Sequence, residues 1–248
     1  KKVFGCNRIK NALQSDPVAT GPAGSSMITK AYMGDLDGTL WRFDMDLDVN
    51  THLPKITATT KVFESGDDQP IFSSMATVNV GGANQYIFFG TGSDRLPSVD
   101  VSTKYHLIGV IDNGIAGAKA FDQVLAKTDG KGEDEKVTAF PAVAGDIVFF
   151  TTTNFHPARA CTSQDANLYA LTFRGGAAYD STGDNIVDTN DNPLAKTILG
   201  ERATAPFIVD QHLVFGTASK VAVFGDPSDF NNGVGQAAVR VLSWREVR

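Results

Sequence analysis

The sequence predicts an all-β chain: a β-propeller of four-stranded antiparallel blades, with about four blades here and the remainder of a larger ring lying upstream. Three observations lead there. Four segments open with a Pro-led apolar strand, Asp16-Pro17-Val18-Ala19, Gln69-Pro70-Ile71-Phe72, Phe140-Pro141-Ala142-Val143 and Ala205-Pro206-Phe207-Ile208. Each continues into an aromatic strand closed by Gly or Thr: Tyr32-Met33-Gly34, Phe88-Phe89-Gly90-Thr91, Phe149-Phe150-Thr151-Thr152 and Val214-Phe215-Gly216-Thr217. Gly34, Gly90, Thr151 and Gly216 stand 56, 61 and 65 residues apart by subtraction of their numbers. Finally, no apolar stripe of period 3.6 lasts beyond about two turns, as a surface helix would require.

In the first repeat, Asp37-Gly38 supplies residue types that a hairpin turn needs at positive φ. Leu40, Arg42 and Asp44 then alternate with Trp41 and Phe43, the period of a half-buried strand. Equivalent third strands fall at 107–111, 168–171 and 221–224, and fourth strands at 56–63, around Val124, at 197–199 and at 239–244. Short strands of this order in several repeats are the pattern of propeller blades, which bury their faces only against neighbouring blades. The best helical candidate, 116–125, is short enough to be a loop turn. A β-sandwich with irregular loops is the competing architecture, but it has no need for the order of strands to repeat.

At 248 residues, 42% hydrophobic and 20% charged, the composition is that of an ordinary globular chain. No run of about 18 apolar residues exists to span a membrane as a helix. A net charge of -6 disfavours nucleic acid, whose phosphates seek a basic face. An Asp-rich surface suits divalent cations instead. The chain opens at Lys1-Lys2-Val3, without initiator Met or signal-peptide pattern, and reads as an excised piece of something longer. Cys6 and Cys161 permit one disulfide or two lone thiols, and are too far apart for a CxxC site.

The strongest chemical signal is the stretch 180–191, Asp-Ser-Thr-Gly-Asp-Asn-Ile-Val-Asp-Thr-Asn-Asp. As a twelve-position calcium loop it places Asp180 at position 1, Thr182 at 3, Asp184 at 5, the Ile186 carbonyl at 7, Asp188 at 9 and Asp191 at 12. Ca²⁺ takes six to eight hard oxygens, and alternate residues of a tightly wound loop can aim them at one point. Asn185 stands where Gly makes the sharp turn, and Asn tolerates the left-handed region well. Val187 is expected to tuck beneath the loop. Thr182 is a weaker ligand than usual at its position, and Asp191 is shorter than the customary bidentate Glu. The alternative is a solvated hairpin held by Asx turns, but four carboxylates in twelve residues repel one another unless a cation sits among them.

Other polar groups read as scaffold. Asp44, Asp46 and Asp48 share one strand face as a solvated edge, 133–135 reads as surface, and Asp35 and Asp37 serve the hairpin turn. His52, His106, His156 and His212 are scattered singly, with no metal spacing. No Gly-x-Ser-x-Gly elbow or Lys-Ser/Thr phosphate loop is present.

Six stretches stand out together: Tyr32-Met-Gly-Asp-Leu-Asp-Gly-Thr-Leu-Trp-Arg-Phe-Asp44, Phe88-Phe-Gly-Thr-Gly92, Leu107-Ile-Gly-Val-Ile-Asp-Asn-Gly114, Phe150-Thr-Thr-Thr153 with Cys161, Asn167-Leu-Tyr-Ala-Leu171 and Leu242-Ser-Trp-Arg-Glu246. In this order they resemble the PilY family, the tip-associated biogenesis factors and adhesins of type IV pili. The resemblance implies that 1–248 is the C-terminal part of such a propeller, with a calcium loop inserted at 180–191. It also implies a non-enzymatic role in pilus assembly, adhesion and surface attachment, with minor pilins of the tip complex, and surface or host ligands, as partners. The expected location is extracellular, at the pilus tip or outer-membrane surface after export through the periplasm. Where family members carry an Asp-rich loop before the Tyr-x-Gly-Asp strand, this chain reads Thr20-Gly-Pro-Ala-Gly-Ser-Ser26, and it has no Arg-Gly-Asp. Two other functions fit the architecture: a quinone-dependent dehydrogenase and an outer-membrane assembly scaffold. The first needs aromatic stacking surfaces and commonly adjacent cysteines, against which the chain offers Trp41, Trp244 and no Cys pair.

Overall fold

A computed structural model describes residues 9–22, 25–80, 84–93, 104–125, 134–155, 164–184, 186–209, 212–217 and 219–224. The described residues are all-β and fold as four successive antiparallel sheets. The first is the meander β1 (Val18–Thr20), β2 (Lys30–Gly34), β3 (Thr39–Leu47) and β4 (Pro54–Glu64). The second is β5 (Ala76–Asn79), β6 (Gln85–Gly90), β7 (His106–Asp112) and β8 (Gly117–Val124). The third runs β10 (Ala142–Ala144), β11 (Ile147–Phe155), β12 (Asp165–Thr172) and β13 (Leu194–Ile198), with β9 (Asp134–Lys136) added along the far end of β11. The fourth is β14 (Phe207–Val209), β15 (His212–Gly216) and β16 (Val221–Phe224).

Alternation along the middle strands explains why the sheets stack. On β6, Ile87 and Phe89 enter a core shared with Tyr32 and Leu40 of the first sheet. Phe88, between them, enters the core shared with Val148, Phe150, Tyr169 and Leu171 of the third. On β11 and β12, Phe149, Leu168 and Ala170 point the other way, onto Leu213, Phe215 and Phe224 of the fourth. The period of two thus buries both faces of the second and third sheets. The first strands also touch in succession, β1 with β5, β5 with β10 and β10 with β14. The outward face of the fourth sheet, where Phe207, Val214 and Val223 lie abreast, leaves Phe207, Val209, Val221 and Val223 exposed.

The recurring Gly has a packing cause. A Cβ on Gly34 would stand 2.2 Å from Ile71 Cγ2, and one on Gly90 would stand 2.2 Å from Val137 Cγ2. Ile71 and Val137 belong to the connectors that carry the chain from one sheet to the next, and both are fully buried. In the first two sheets the chain crosses so close over the end of the second strand that no side chain fits there. In the third repeat, Thr151 holds the corresponding connector instead, its Oγ1 donating to the Thr204 carbonyl at 2.9 Å.

The structure differs from expectation in two strands. The first strand of the second sheet is Ala76–Asn79, and not 69–72. Neighbours on both sides pull that earlier stretch out of the sheet: Ile71 N–H donates to the Asp35 carbonyl at 3.0 Å, and the Pro70 carbonyl accepts from Gly92 at 2.9 Å. The helical candidate 116–125 is strand β8, paired with β7 from end to end. Its weak local helical preference yields to an open strand edge and to Phe121, buried against Phe88 at a ring separation of 6.0 Å. The predicted strand at 239–244, the terminal motif 242–246, Cys6 and Cys161 lie outside the described residues.

Candidate functional site

The 180–191 loop joins β12 to β13, and its two ends are pinned to the same strand. Ala178 N–H donates to the Ala170 carbonyl at 3.1 Å, and Ala170 N–H donates to the Pro193 carbonyl at 2.9 Å. Tyr179 Oη donates to the carbonyls of Leu194 (2.9 Å) and Ala195 (3.2 Å), fastening the entrance to β13. The intervening residues therefore start and finish side by side.

Asp191 closes the loop. Its Oδ1 accepts from Ser181 N (2.6 Å), Ser181 Oγ (3.0 Å) and Thr182 N (3.1 Å), while Oδ2 accepts from Asp188 N at 2.9 Å. The Asp188 N–H first, and then the Ser181 and Thr182 donors against a burial effect, hold this carboxyl below the ordinary Asp range. Asp180 Oδ1 accepts from Thr182 N (3.1 Å), Thr182 Oγ1 (3.2 Å) and Gly183 N (2.6 Å), with Gly183 left-handed at φ 77°. Asp180 and Asp191 thus meet over the Thr182 amide. Burial, then the charges of Asp191 and Asp180, push the Tyr179 hydroxyl pKa up.

The remaining predicted ligands are spread along the loop. Asp184 Oδ1 accepts from Ile186 N at 2.9 Å, and Asp188 Oδ1 accepts from Asn190 N at 2.7 Å, so each winds its own Asx turn. The Ile186 side chain is exposed, and Asn185 lies outside the described residues. Val187 is half-buried in an open groove of about 470 Å³ lined also by Ala177, Asp188, Asp191 and Pro193. Among the described residues, no three His, Cys, Asp or Glu side chains are grouped closely enough to hold a metal ion. The donor set is one of hard oxygens on a closed loop, while Asp184 and Asp188 are turned to their own backbone.

Two buried polar networks escape a reading of the sequence. Arg42 on β3 reaches Asp112 on β7 with Nη1 at 2.8 and 2.9 Å and donates from Nη2 to the Gly114 carbonyl at 2.9 Å. Tyr32 Oη adds a bond to Asp112 Oδ2 at 2.8 Å. Burial raises the Asp112 pKa, but Arg42, the Gly114 N–H and Tyr32 outweigh it, and the carboxyl ends below the usual range. In the third sheet, Glu135 was expected on the surface and is 3% exposed. Its Oε1 accepts from Thr152 Oγ1 (2.5 Å), Asn167 Nδ2 (2.8 Å) and Tyr169 Oη (2.8 Å). Only the polar residues at alternate positions of β11 and β12 hint at it in the sequence. Asp35 acts as expected: its Oδ1 accepts from Asp37 N and Thr39 N, and its Oδ2 accepts from Trp41 Nε1 at 2.8 Å.

No protein-family model matches this sequence, and no curated protein matches it. Among the described residues, no helix is long and apolar enough to cross a membrane.

Proposed function

We propose that the chain is a calcium-binding, non-enzymatic display module: a β-propeller portion that serves type IV pilus assembly, adhesion and surface attachment. The ring reading is supported by the contact of successive first strands, β1 to β5 to β10 to β14, since those strands would line a common axis. The pilus reading rests on the motif resemblance alone, and minor pilins or surface ligands are the partners it implies.

The observation that carries the calcium reading is the self-closure of 180–191. Asp191 bonds Ser181, Thr182 and Asp188 together, and the carboxylates of Asp180, Asp184, Asp188 and Asp191 share that one short loop. Calcium would be held by those four carboxylates, with Thr182 and the Ile186 carbonyl, and would cancel their mutual repulsion. Its role is structural, to fix a loop that partners read.

Thermal unfolding in calcium and in chelator tests this. At calcium a hundredfold above Kd the ion contributes about 2.7 kcal/mol, or roughly 5–10 °C in Tm. Asp184→Ala should bind one calcium fewer by calorimetry and lose the part of the shift that comes from the loop. An Asp184→Ala chain with the same calcium stoichiometry and the same shift would remove the loop from the reading.

A further inference from the structure

Among the described residues, the buried side-chain oxygens without a hydrogen-bond partner include Glu135 Oε2 and Asn154 Oδ1. The coincidence matters because these two residues are direct partners across the β9–β11 ladder. Paired positions put their side chains on one face, with Cβ atoms about 4.5–5.5 Å apart. Asn154 is paired on its other side with Asp165 of β12, so Glu135, Asn154 and Asp165 stand abreast on three adjacent strands. Glu135 and Asn154 are 3% and 4% exposed, respectively.

The donors in the neighbourhood serve the other carboxylate oxygen. Thr152, Asn167 and Tyr169 all donate to Glu135 Oε1, and none of them reaches Oε2. The adjacent Lys136 is paired with Thr153, so the strand alternation sends it to the opposite face. There its ammonium lies 5.0 Å from the Phe155 ring centre and 5.4 Å from that of Tyr105. What remains is one buried carboxyl oxygen beside one buried amide oxygen, Glu135 Oε2 and Asn154 Oδ1, both acceptors and neither with a hydrogen-bond partner. Hard oxygens in this arrangement bind a cation.

We propose that Glu135 and Asn154, with Asp165 beside them, form a site for a hard, oxygen-seeking cation, separate from the 180–191 loop and independent of whether that loop binds. The probe is Tb³⁺ on the full chain, with emission sensitised through Tyr169 and calcium as competitor. In an Asp184→Ala background, one Tb³⁺ should still bind and be displaced by calcium, and Tyr169→Phe should dim its sensitised emission. Adding Glu135→Gln should abolish that equivalent. A folded Glu135→Gln chain that binds as many ions as before would overturn the site, as would crystals grown with Mn²⁺ showing water and no anomalous signal between the two oxygens. If Glu135→Gln does not fold, Asn154→Asp decides: the added charge should tighten binding about tenfold, and unchanged affinity would overturn the proposal.

Discussion

Asp112 is fully enclosed, and its stabilisation depends on groups from two sheets: Arg42 and Tyr32 from the first, and the Gly114 N–H from its own turn. Replacing it with Asn takes the enclosed counter-charge from the Arg42 guanidinium, itself 6% exposed, and leaves it only the half-buried Asp44, 3.0 Å from Nε. Breaking such a pair from one side costs about 3–5 kcal/mol, so Asp112→Asn should lower Tm by roughly 6–20 °C. The pH dependence follows from the direction of the shift. Because the folded carboxyl titrates below its ordinary value of 3.8, its contribution is complete above that value and is lost as pH falls through the lower folded value. The wild-type acid limb should therefore be steeper than that of Asp112→Asn in pH-dependent denaturation, and parallel limbs would contradict the assignment. None of this was legible in the sequence, since Arg42 and Asp112 are 70 residues apart and each reads alone as an ordinary strand residue. Glu135 was misread for the same reason, its partners standing 17 to 34 residues downstream. The carboxylates of 180–191 were legible because they lie within one short stretch.

Strands and turns divide along the same line of local against distant causes. The β2–β3 hairpin was readable because Asp35, Asp37-Gly38 and the alternation after them are local chemistry, and the structure uses them as such, with Gly38 at φ 79°. The first strand of the second sheet was not, because the Pro-led stretch that imitates it is claimed by bonds to two different sheets. The Gly that closes the second strand of the first two sheets is visible as a repeat, while its reason is a contact with a residue 37 or 47 positions later (71 − 34 and 137 − 90). A methyl at Gly90 has no room beside Val137. Gly90→Ala should lose about 1–3 kcal/mol, read as a lower urea midpoint at unchanged m value. Trimming the obstacle with Val137→Ala in the same chain should be less than additive, because the two residues share one contact. Full additivity in that double-mutant cycle would count against the explanation.

Across the whole molecule, the sheets differ in how they are enclosed. Among the described residues, the second and third have apolar neighbours on both faces, whereas the fourth has one on a single face. Amide hydrogen exchange should therefore be slowest in β6, β7, β11 and β12 and faster in β15 and β16, since protection follows burial of the strands. Equal protection throughout would mean that the stack unfolds as one unit. The stacking order was legible because each blade-like segment repeats a two-sided apolar strand. The outward side of the last sheet has a consequence in solution. Phe207, Val221 and Val223 are 51%, 67% and 53% exposed, and a net charge of -6 keeps copies of the chain apart. Salt that screens this repulsion, sulfate above all, should make concentrated samples scatter light, and Val223→Lys should keep them clear.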